Sequence, residues 1–352
     1  MVVLIFIRQL SVGGAEKQSL LLTRELQKNH SAFLVVWTRK IVSPRYAHFI
    51  DTYDLSVKFL EGSAFSRMVQ LWKIIRKEKV THIFNFLLIN NFVGGIVGRF
   101  AGVKKIFGGI RNCEIVKSKF LLQRFLHNYI SDKTIFNNRS GADALSQKGF
   151  DPSKILVIHN GIDIQAEITS QEENKSVVIF TAARFLPQKD HYTALKALQL
   201  LKLRGKDFKY LMAGYGPQED EIRYWISELG LEDRIEVEIS PDNLPLLFLR
   251  SNIYLSTSLR EGLSNSIMEA LNAGLPVVAT NVGDNQFLVN EGKNGFLTNT
   301  GDSSSIADAL ERLIDTPSLR VRMGTAGYQY LKERFSTENF LNQYLQILDH
   351  EK

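Results

Sequence analysis

Two glutamates eight residues apart, Glu261 and Glu269, bracket the start of a predicted helix over residues 264–273. Ser264 is a typical helix N-cap, and Gly274 followed by Pro276 is a typical stop signal. The free backbone N–H groups of such a helix start can bind a diphosphate. Carboxylates on either side can accept charge-assisted hydrogen bonds from sugar hydroxyls. The pattern indicates a site for a sugar diphosphate, with two unrelated surface glutamates as the alternative.

Two cations, Arg184 and Lys189, lie five residues apart in the loop after another predicted strand, residues 177–181. Ligands of open parallel α/β sheets bind beyond the carboxyl ends of the strands. Two cations in this loop could therefore clamp a phosphate between them. Two solvated surface charges are the alternative reading of this segment taken alone.

Pairs of glycines follow two further predicted strands. Gly13 and Gly14 come after the strand of residues 2–7 and lead into a helix, so their N–H groups and the helix dipole could approach an anion. Their pattern is not Gly-x-Gly-x-x-Gly, so no dinucleotide site is indicated. Gly214 and Gly216 would let a flat ligand lie close to the backbone. Ordinary turns are the alternative for both pairs.

Short β-rich segments alternate with amphipathic segments of helical length along the whole chain. Repeated β-α-β units predict parallel sheets covered by helices on both faces. The polar segment of residues 171–176 interrupts the alternation, which restarts at residue 177. We therefore predict an α/β fold of two doubly wound, Rossmann-like domains with a cleft between them. The predicted domains are residues 1–170 and 171–335, with a C-terminal helix in residues 336–352 that packs back on the first domain.

The composition is that of a globular protein, with 352 residues, 44% of them hydrophobic and 23% charged. The net charge of +6 is unevenly divided: residues 1–160 hold 24 basic and 10 acidic side chains, whereas residues 161–352 hold 19 and 27. The first half is thus expected to meet an anionic partner.

The cysteine content and the hydropathy pattern indicate the type of cellular compartment in which the protein works. Cys113 is the only cysteine, which excludes an intrachain disulfide or a multi-thiolate zinc site and predicts a reducing compartment. The longest uncharged stretch, residues 80–98, contains polar side chains and three glycines, so we expect a strand and a helix there and no membrane span. The apolar N-terminus has no basic n-region and is expected to be a buried strand.

The segment from Glu261 to Thr280 resembles the signature of glycosyltransferase family 4, whose members are retaining nucleotide-sugar transferases with the GT-B fold. Further motifs agree with the family in chain order, so the resemblance covers nearly the whole chain. They are Gly13-Gly14-Ala15-Glu16, Asn160-Gly161-Ile162-Asp163, Arg184 with Lys189, Gly214-Tyr215-Gly216-Pro217 and Gly292-Lys293-Asn294-Gly295-Phe296-Leu297.

The resemblance implies a role for each motif. Glu269 would bind the ribose of the donor, and Glu261 would hold the transferred sugar. Arg184 and Lys189 would neutralise the leaving diphosphate as catalytic groups beside Glu261. The other implied donor-binding residues are Gly13, Gly14, Gly214, Gly216, Gly262, Leu263 and Ser264. No metal and no cofactor besides the nucleotide-sugar substrate is expected.

The chain departs from the family pattern in two places. Leu263-Ser264 replaces the Phe-Gly found in many members, a mild change because backbone contacts are expected there. No histidine stands where many members carry one in the first domain to face the sugar. Asn90, Asn91 and Arg111 are the acceptor-side candidates to take its place.

These features predict a retaining transferase that moves a hexose or hexosamine from a nucleotide sugar, favouring UDP, to a growing, lipid-linked glycan of bacterial capsule, O-antigen or lipopolysaccharide. The basic first half fits an anionic membrane surface, where each basic residue contributes about 1 kcal/mol. The expected location is therefore cytoplasmic, at the inner face of the cell membrane. A non-catalytic sugar-binding protein and a nucleotide-sugar epimerase of the same fold are the alternatives. Nucleic acid is not an expected partner, because no recognised module is present.

Overall fold

The computed structural model describes residues 1–11, 13–111, 115–166, 176–241 and 243–349. The chain divides into two compact units, one formed by Met1–Gly161 with Thr337–Lys352 and the other by Ile162–Ser336. Cys113 and most of the polar segment at 171–176 lie outside the described residues.

The boundary between the units falls at residue 161 and not at the predicted 170, because the residues after 161 bond to the second unit. Asn272 Nδ2 donates to the carbonyl of Asp163 at 3.0 Å, and its Oδ1 accepts from the backbone N–H of Gln165 at 3.1 Å. Tyr328 Oη donates to the carbonyl of Gln165 at 2.6 Å. The polar segment at residues 171–176 shows only where the composition changes. The hydrogen bonds of Asp163 and Gln165 show that the residues just before this segment already belong to the second unit.

The first unit contains one sheet of seven parallel strands in the order β3-β2-β1-β4-β5-β6-β7. Its central strands are nearly continuous runs of apolar residues, as expected of a parallel sheet buried on both faces. The strands are β1 (Val2–Ile7), β2 (Ser31–Val36), β3 (Val57–Phe59), β4 (His82–Asn85), β5 (Lys105–Ile110), β6 (Lys133–Phe136) and β7 (Ile155–Val157).

Helices cover both faces of this sheet. They are α1 (Gly14–Gln27), α2 (Pro44–Thr52), α3 (Ala64–Lys77), α4 (Leu88–Ala101), α5 (Lys117–Phe125), α6 (Arg139–Ser146) and, from the end of the chain, α13 (Thr337–Asp349). A π-helical turn, Leu126–Ile130, continues α5. The C-terminal α13 buries Phe340, Tyr344 and Leu348 in the same core as α1 and β1. The chain thus returns to its first unit after completing the second.

The second unit contains six parallel strands in the order β10-β9-β8-β11-β12-β13. The strands are β8 (Val177–Ala182), β9 (Phe208–Gly214), β10 (Ile235–Ile239), β11 (Ile253–Ser256), β12 (Val277–Thr280) and β13 (Gly295–Thr298). The helices are α7 (His191–Leu203), α8 (Glu219–Glu228), α9 (Leu244–Leu249), α10 (Asn265–Asn272), α11 (Ser303–Asp315) and α12 (Pro317–Phe335).

The strand order of the second unit reverses direction at β8. The chain moves outward from β8 through β9 to β10, and β11 then returns to pair with the other edge of β8. The loops after β8 and β11 therefore leave adjacent strands toward opposite sides. Such a switch point is where open α/β sheets bind their ligands.

No helix among the described residues combines the length and the apolar character needed to cross a bilayer. The uncharged stretch at residues 80–98 forms β4 and most of α4, as the sequence predicts.

Candidate active site in the second unit

The loops after β8 and β11 are hydrogen-bonded to each other. The N–H of Leu259 donates to the carbonyl of Gln188 at 2.8 Å. The side-chain amide of Gln188 donates to the carbonyl of Arg260, also at 2.8 Å. Thr257 Oγ1 lies 3.0 Å from the carbonyl oxygens of both Lys189 and Asp190. These bonds hold the two loops as one body, so the side chains they carry are positioned before any ligand arrives.

The centre of this body is an ion pair between Lys189 and Glu261. Only 15% of the Lys189 side chain and 11% of the Glu261 side chain are exposed. Ser258 Oγ donates a second hydrogen bond to the same carboxylate oxygen at 2.7 Å. An ammonium has three N–H donors, so Lys189 can hold Glu261 and still donate to an anion.

Arg184 lies at the start of the same loop, and its guanidinium is exposed. No ion pair to it is found in the part of the chain that the structure describes. Its carbonyl accepts a hydrogen bond from His191 Nε2 at 3.2 Å. Burial lowers the pKa of His191, which keeps the ring neutral at pH 7. The backbone of Arg184 is thus anchored while its cation is available to a ligand.

The motif at Gly214 and Gly216 makes room for the protein's own backbone. A Cβ at Gly214 would lie 1.9 Å from the carbonyl oxygen of Ala183, and one at Gly216 would lie 2.4 Å from that of Phe185. The N–H of Phe185 donates to the carbonyl of Tyr215 at 2.8 Å. These glycines therefore allow the loop that carries Arg184 to pack closely against them. The sequence instead predicts that they leave space for a flat ligand. Their donor contacts remain a prediction.

The helix α10 begins as the sequence predicts. Ser264 is the N-cap, and its Oγ accepts from the N–H of Ile267 at 3.4 Å. Leu263 is buried in the core, so only its backbone is offered to a ligand. The predicted packed face of α10 is also confirmed, since Ile267, Ala270 and Leu271 are all buried.

The buried hydroxyl of Tyr254, in β11, lies within electrostatic range of both Glu261 and Glu269. Burial raises the pKa of Tyr254 well above its ordinary range, and the charges of both carboxylates raise it further. A hydrogen bond with the Ser266 side chain acts in the opposite direction and lowers that pKa more than the two carboxylates raise it individually. Both glutamates of the sequence pattern therefore act electrostatically on the same buried hydroxyl.

Gly283, in the loop after β12, packs closely against the backbone of Glu261. It was not identified from the sequence as part of the site. Its φ is +54°, and a Cβ there would lie 2.1 Å from the carbonyl oxygen of Glu261. The next residue, Asp284, donates its N–H to the carbonyl of Gly262 at 3.0 Å. A glycine three residues after a predicted strand was the one available signal. Tyr254 and Ser258 were also missed, because neither stands in a recognisable motif.

In the first unit, the turn at Gly13 and Gly14 holds a carboxylate of its own helix. Ser11 Oγ donates to Glu16 Oε1 at 2.9 Å, and a Cβ at Gly13 would lie 2.4 Å from Glu16 Oε2. Tyr46 Oη donates to the carbonyl of Gly13 at 2.9 Å. Glu16 thus places a negative charge beside the helix N-terminus, where the sequence predicts an approach to diphosphate. That approach remains a prediction.

The three acceptor-side candidates differ in how they are bonded. Asn91 exchanges two hydrogen bonds with the backbone of Gly109, at 2.8 and 3.0 Å. Arg111 donates to Asn160 Oδ1 at 2.9 Å. Asn91 therefore fastens α4 to β5, and Arg111 is held within its own unit. Only Asn90 is fully buried with both amide atoms unpartnered among the described residues.

Metal ligands do not cluster in the described part of the chain, where no group of three or more His, Cys, Asp or Glu side chains could hold an ion. The expectation of metal-independent chemistry remains a prediction.

Comparison with known proteins gives a consistent family assignment for both units. The family described as glycosyl transferases group 1 matches residues 163–330, and Glycosyltransferase Family 4 matches residues 12–166. Together the two matches cover residues 12–330, which contain strands β2 to β13 and every motif named above from Gly13 onward.

Two curated bacterial enzymes are similar over most of their length. The UDP-Gal:alpha-D-GlcNAc-diphosphoundecaprenol alpha-1,3-galactosyltransferase of Escherichia coli is 24% identical over 298 residues, which are 78% of this chain and 76% of the relative. The N-acetylgalactosamine-N,N'-diacetylbacillosaminyl-diphospho-undecaprenol 4-alpha-N-acetylgalactosaminyltransferase of Campylobacter jejuni is 25% identical over 313 residues, 80% of this chain and 84% of the relative.

Among solved structures, Anabaena Alr3699/HepE in complex with UDP-glucose superposes with a TM-score of 0.87. The identity is 20%, and the match covers 99% of this chain and 100% of that chain. This likeness shows the fold, which is GT-B.

Proposed function

The chain belongs to the group 1, family 4 glycosyltransferases, and we propose that it transfers a hexose or hexosamine from a UDP-sugar, with retention, to a lipid-linked glycan. The observation that carries the proposal is the Lys189–Glu261 pair at the switch point of the second sheet, with the exposed Arg184 at the start of the loop that carries Lys189. The products would be bacterial surface polysaccharides such as capsule, O-antigen or lipopolysaccharide.

The proposed reaction breaks the bond between the sugar C1 and the diphosphate oxygen. The electron pair leaves with the nucleoside diphosphate, while an acceptor hydroxyl forms the new bond to C1 and passes its proton to the departing diphosphate. Negative charge therefore develops on the diphosphate, and preorganised positive groups contribute most where such charge appears. Arg184, Lys189 and the N–H groups at the start of α10 are the groups we assign to that task.

The two glutamates receive different parts of the donor in this proposal. Glu261 accepts hydrogen bonds from hydroxyls of the transferred sugar and offsets positive charge near C1. Glu269, one turn into α10, accepts hydrogen bonds from the ribose hydroxyls. Hydrogen bonds to a charged acceptor contribute about 1.5–3 kcal/mol each, so each glutamate can support one part of the donor strongly.

The lipid-linked acceptor is supported by charge and by the relatives. The unit formed by Met1–Gly161 and Thr337–Lys352 holds 25 basic and 13 acidic residues, whereas Ile162–Ser336 holds 18 and 24. Both curated relatives are named for substrates linked to diphosphoundecaprenol. We infer that the basic unit binds the lipid-linked acceptor at an anionic membrane, with Asn90, Asn91 and Arg111 as the candidates for the role of the family's histidine.

A donor screen tests the proposal, and Glu269→Ala is its informative variant. Wild-type chain is expected to be stabilised by a UDP-sugar, by about 2.7 kcal/mol at 100 times the Kd. Glu269→Ala is expected to weaken UDP and UDP-sugar binding about 10- to 100-fold, because the ribose loses charge-assisted hydrogen bonds. Thermal denaturation and calorimetry across several nucleotide sugars measure both effects.

Glu228→Ala, which removes an exposed carboxylate from α8, is the matched control and should bind as the wild type does. No stabilisation by any nucleotide sugar would contradict the donor assignment. Binding without turnover would support a non-catalytic sugar-binding protein, and conversion of the donor to an isomer without acceptor would support an epimerase. Normal UDP affinity in Glu269→Ala would remove that residue from the site.

A further inference from the structure

The helix α5 and the π-helical turn after it expose apolar side chains on their outer face. Leu121, Phe125 and Tyr129 follow one another at intervals of four residues and are 67%, 50% and 73% exposed. Leu122 extends the same stripe, and the rings of Phe125 and Tyr129 lie 5.4 Å apart. A surface helix of a globular protein normally turns such a stripe toward the core.

The inner face of the same segment is already occupied, so the outer stripe is not a misplaced core face. Gln123, Leu126 and His127 are buried. His127 is bonded on both ring nitrogens, to Thr134 Oγ1 at 2.8 Å and to the carbonyl of Asp151 at 3.0 Å. The orientation of α5 is therefore fixed, and its apolar outer face is a property of the folded unit.

Cations accompany this stripe without compensating acids. Residues 115–131 contain Lys117, Lys119 and Arg124 and no aspartate or glutamate. Lys117 and Lys119 are exposed, and neither has an ion pair within the described ranges. Exposed apolar side chains flanked by unpaired lysines are complementary to one environment, the headgroup and acyl boundary of an anionic bilayer.

The neighbouring helix α4 also exposes aromatic side chains. It packs closely on the π-helical turn, where a Cβ at Gly95 would lie 2.7 Å from the Ile130 side chain. Arg99 of α4 donates to the carbonyl of Ile130 at 2.8 Å. Phe100, the next residue, is 84% exposed, and Phe92 is also exposed. Large aromatic side chains are thus presented to solvent by two adjoining helices of the basic unit.

We propose that this docking face, formed by Val116, Lys117, Lys119, Leu121, Leu122, Phe125 and Tyr129, inserts shallowly into an anionic phospholipid surface. The apolar side chains enter the headgroup boundary, and the two lysines lie at the level of the lipid phosphates. The inference rests on the proposed function for its purpose, since it would bring the basic unit to a lipid-linked acceptor. Binding to lipid itself requires neither donor nor acceptor.

Flotation of the purified full chain with vesicles tests the docking face. Wild type is expected to float with vesicles of phosphatidylcholine and phosphatidylglycerol (7:3) at low salt, and far less with phosphatidylcholine alone. Leu121→Ser/Leu122→Ser/Phe125→Ser and, separately, Lys117→Gln/Lys119→Gln are each expected to lower vesicle affinity about tenfold or more. Leu203→Ser/Tyr224→Ser/Val321→Ser removes equally exposed apolar groups from the second unit and should leave affinity unchanged.

Stabilisation by UDP, measured on every variant, shows that the fold and the donor site are intact. Absence of wild-type flotation, or flotation by both docking-face variants equal to that of the wild type, would overturn the proposal. The proposal would also be overturned if the stripe were a dimer interface. In that case the triple serine variant would have half the solution mass of the wild type and an unchanged affinity for vesicles. If the wild type is stabilised by UDP but does not float with vesicles, the docking face alone is refuted. If it floats with vesicles but is not stabilised by UDP, the proposed donor is refuted.

Discussion

Glu261→Gln is expected to slow sugar transfer by about 10²- to 10³-fold while affinity for UDP stays the same or rises. The amide can keep the hydrogen bond from Ser258 Oγ, so the loop retains its conformation. It removes the charge that supports the sugar, and it also frees Lys189 from its partner. An uncompensated ammonium attracts a diphosphate more strongly than a paired one. Steady-state kinetics with the preferred donor, and calorimetry with UDP, separate the two effects.

Glu228→Gln, which removes a carboxylate from the exposed surface of α8, is the control and should leave both quantities unchanged. Transfer by Glu261→Gln within about twofold of the wild type would exclude a direct role for the carboxylate. A tenfold loss of UDP affinity would show that Glu261 organises the diphosphate site instead of opposing its charge.

Arg184→Gln and Lys189→Gln are each expected to lower kcat about 10²-fold or more, because each removes a cation from the leaving diphosphate. Their effects on stability should differ. Arg184 is exposed and unpaired among the described residues, so its loss should leave the free energy of unfolding nearly unchanged. Lys189→Gln removes the ion pair to the largely buried Glu261 carboxylate, which should cost about 1–3 kcal/mol.

Chemical denaturation and single-turnover kinetics of the two variants measure this contrast. Arg322→Gln removes an exposed cation of α12 and serves as the control for a general loss of positive charge. Equal stability of Arg184→Gln and Lys189→Gln would contradict the importance of the ion pair. Full activity of either variant would remove that cation from the leaving-group site.

Local sequence signals predicted the elements well but not the contacts between them. The cap at Ser264 and the buried face of α10 depend on neighbours within one helix, so their residue types and spacing suffice. The partnership of Lys189 with Glu261 joins residues 72 apart in the sequence. It exists because β8 and β11 are neighbours in the sheet, and no local pattern states that strand order.

Glycines and amides show the same limit at single positions. The sequence predicts that another group approaches Gly214 closely, but it does not identify that group. In the structure the group is the backbone of Ala183. Asn90 and Asn91 are adjacent and of one type, yet Asn91 is bonded to Gly109 while Asn90 is unpartnered in the described ranges. Strand β3 and the π-helical turn were also not predicted from the sequence.

Transfer stereochemistry is the most direct test of the proposed activity. The wild-type chain, given its preferred UDP-sugar and a lipid-diphosphate-linked acceptor, is expected to release one UDP for each acceptor glycosylated. Proton NMR of the product should show the same anomeric configuration as in the donor. Release of UDP that does not depend on acceptor, or a product of inverted configuration, would contradict the proposed retaining transfer.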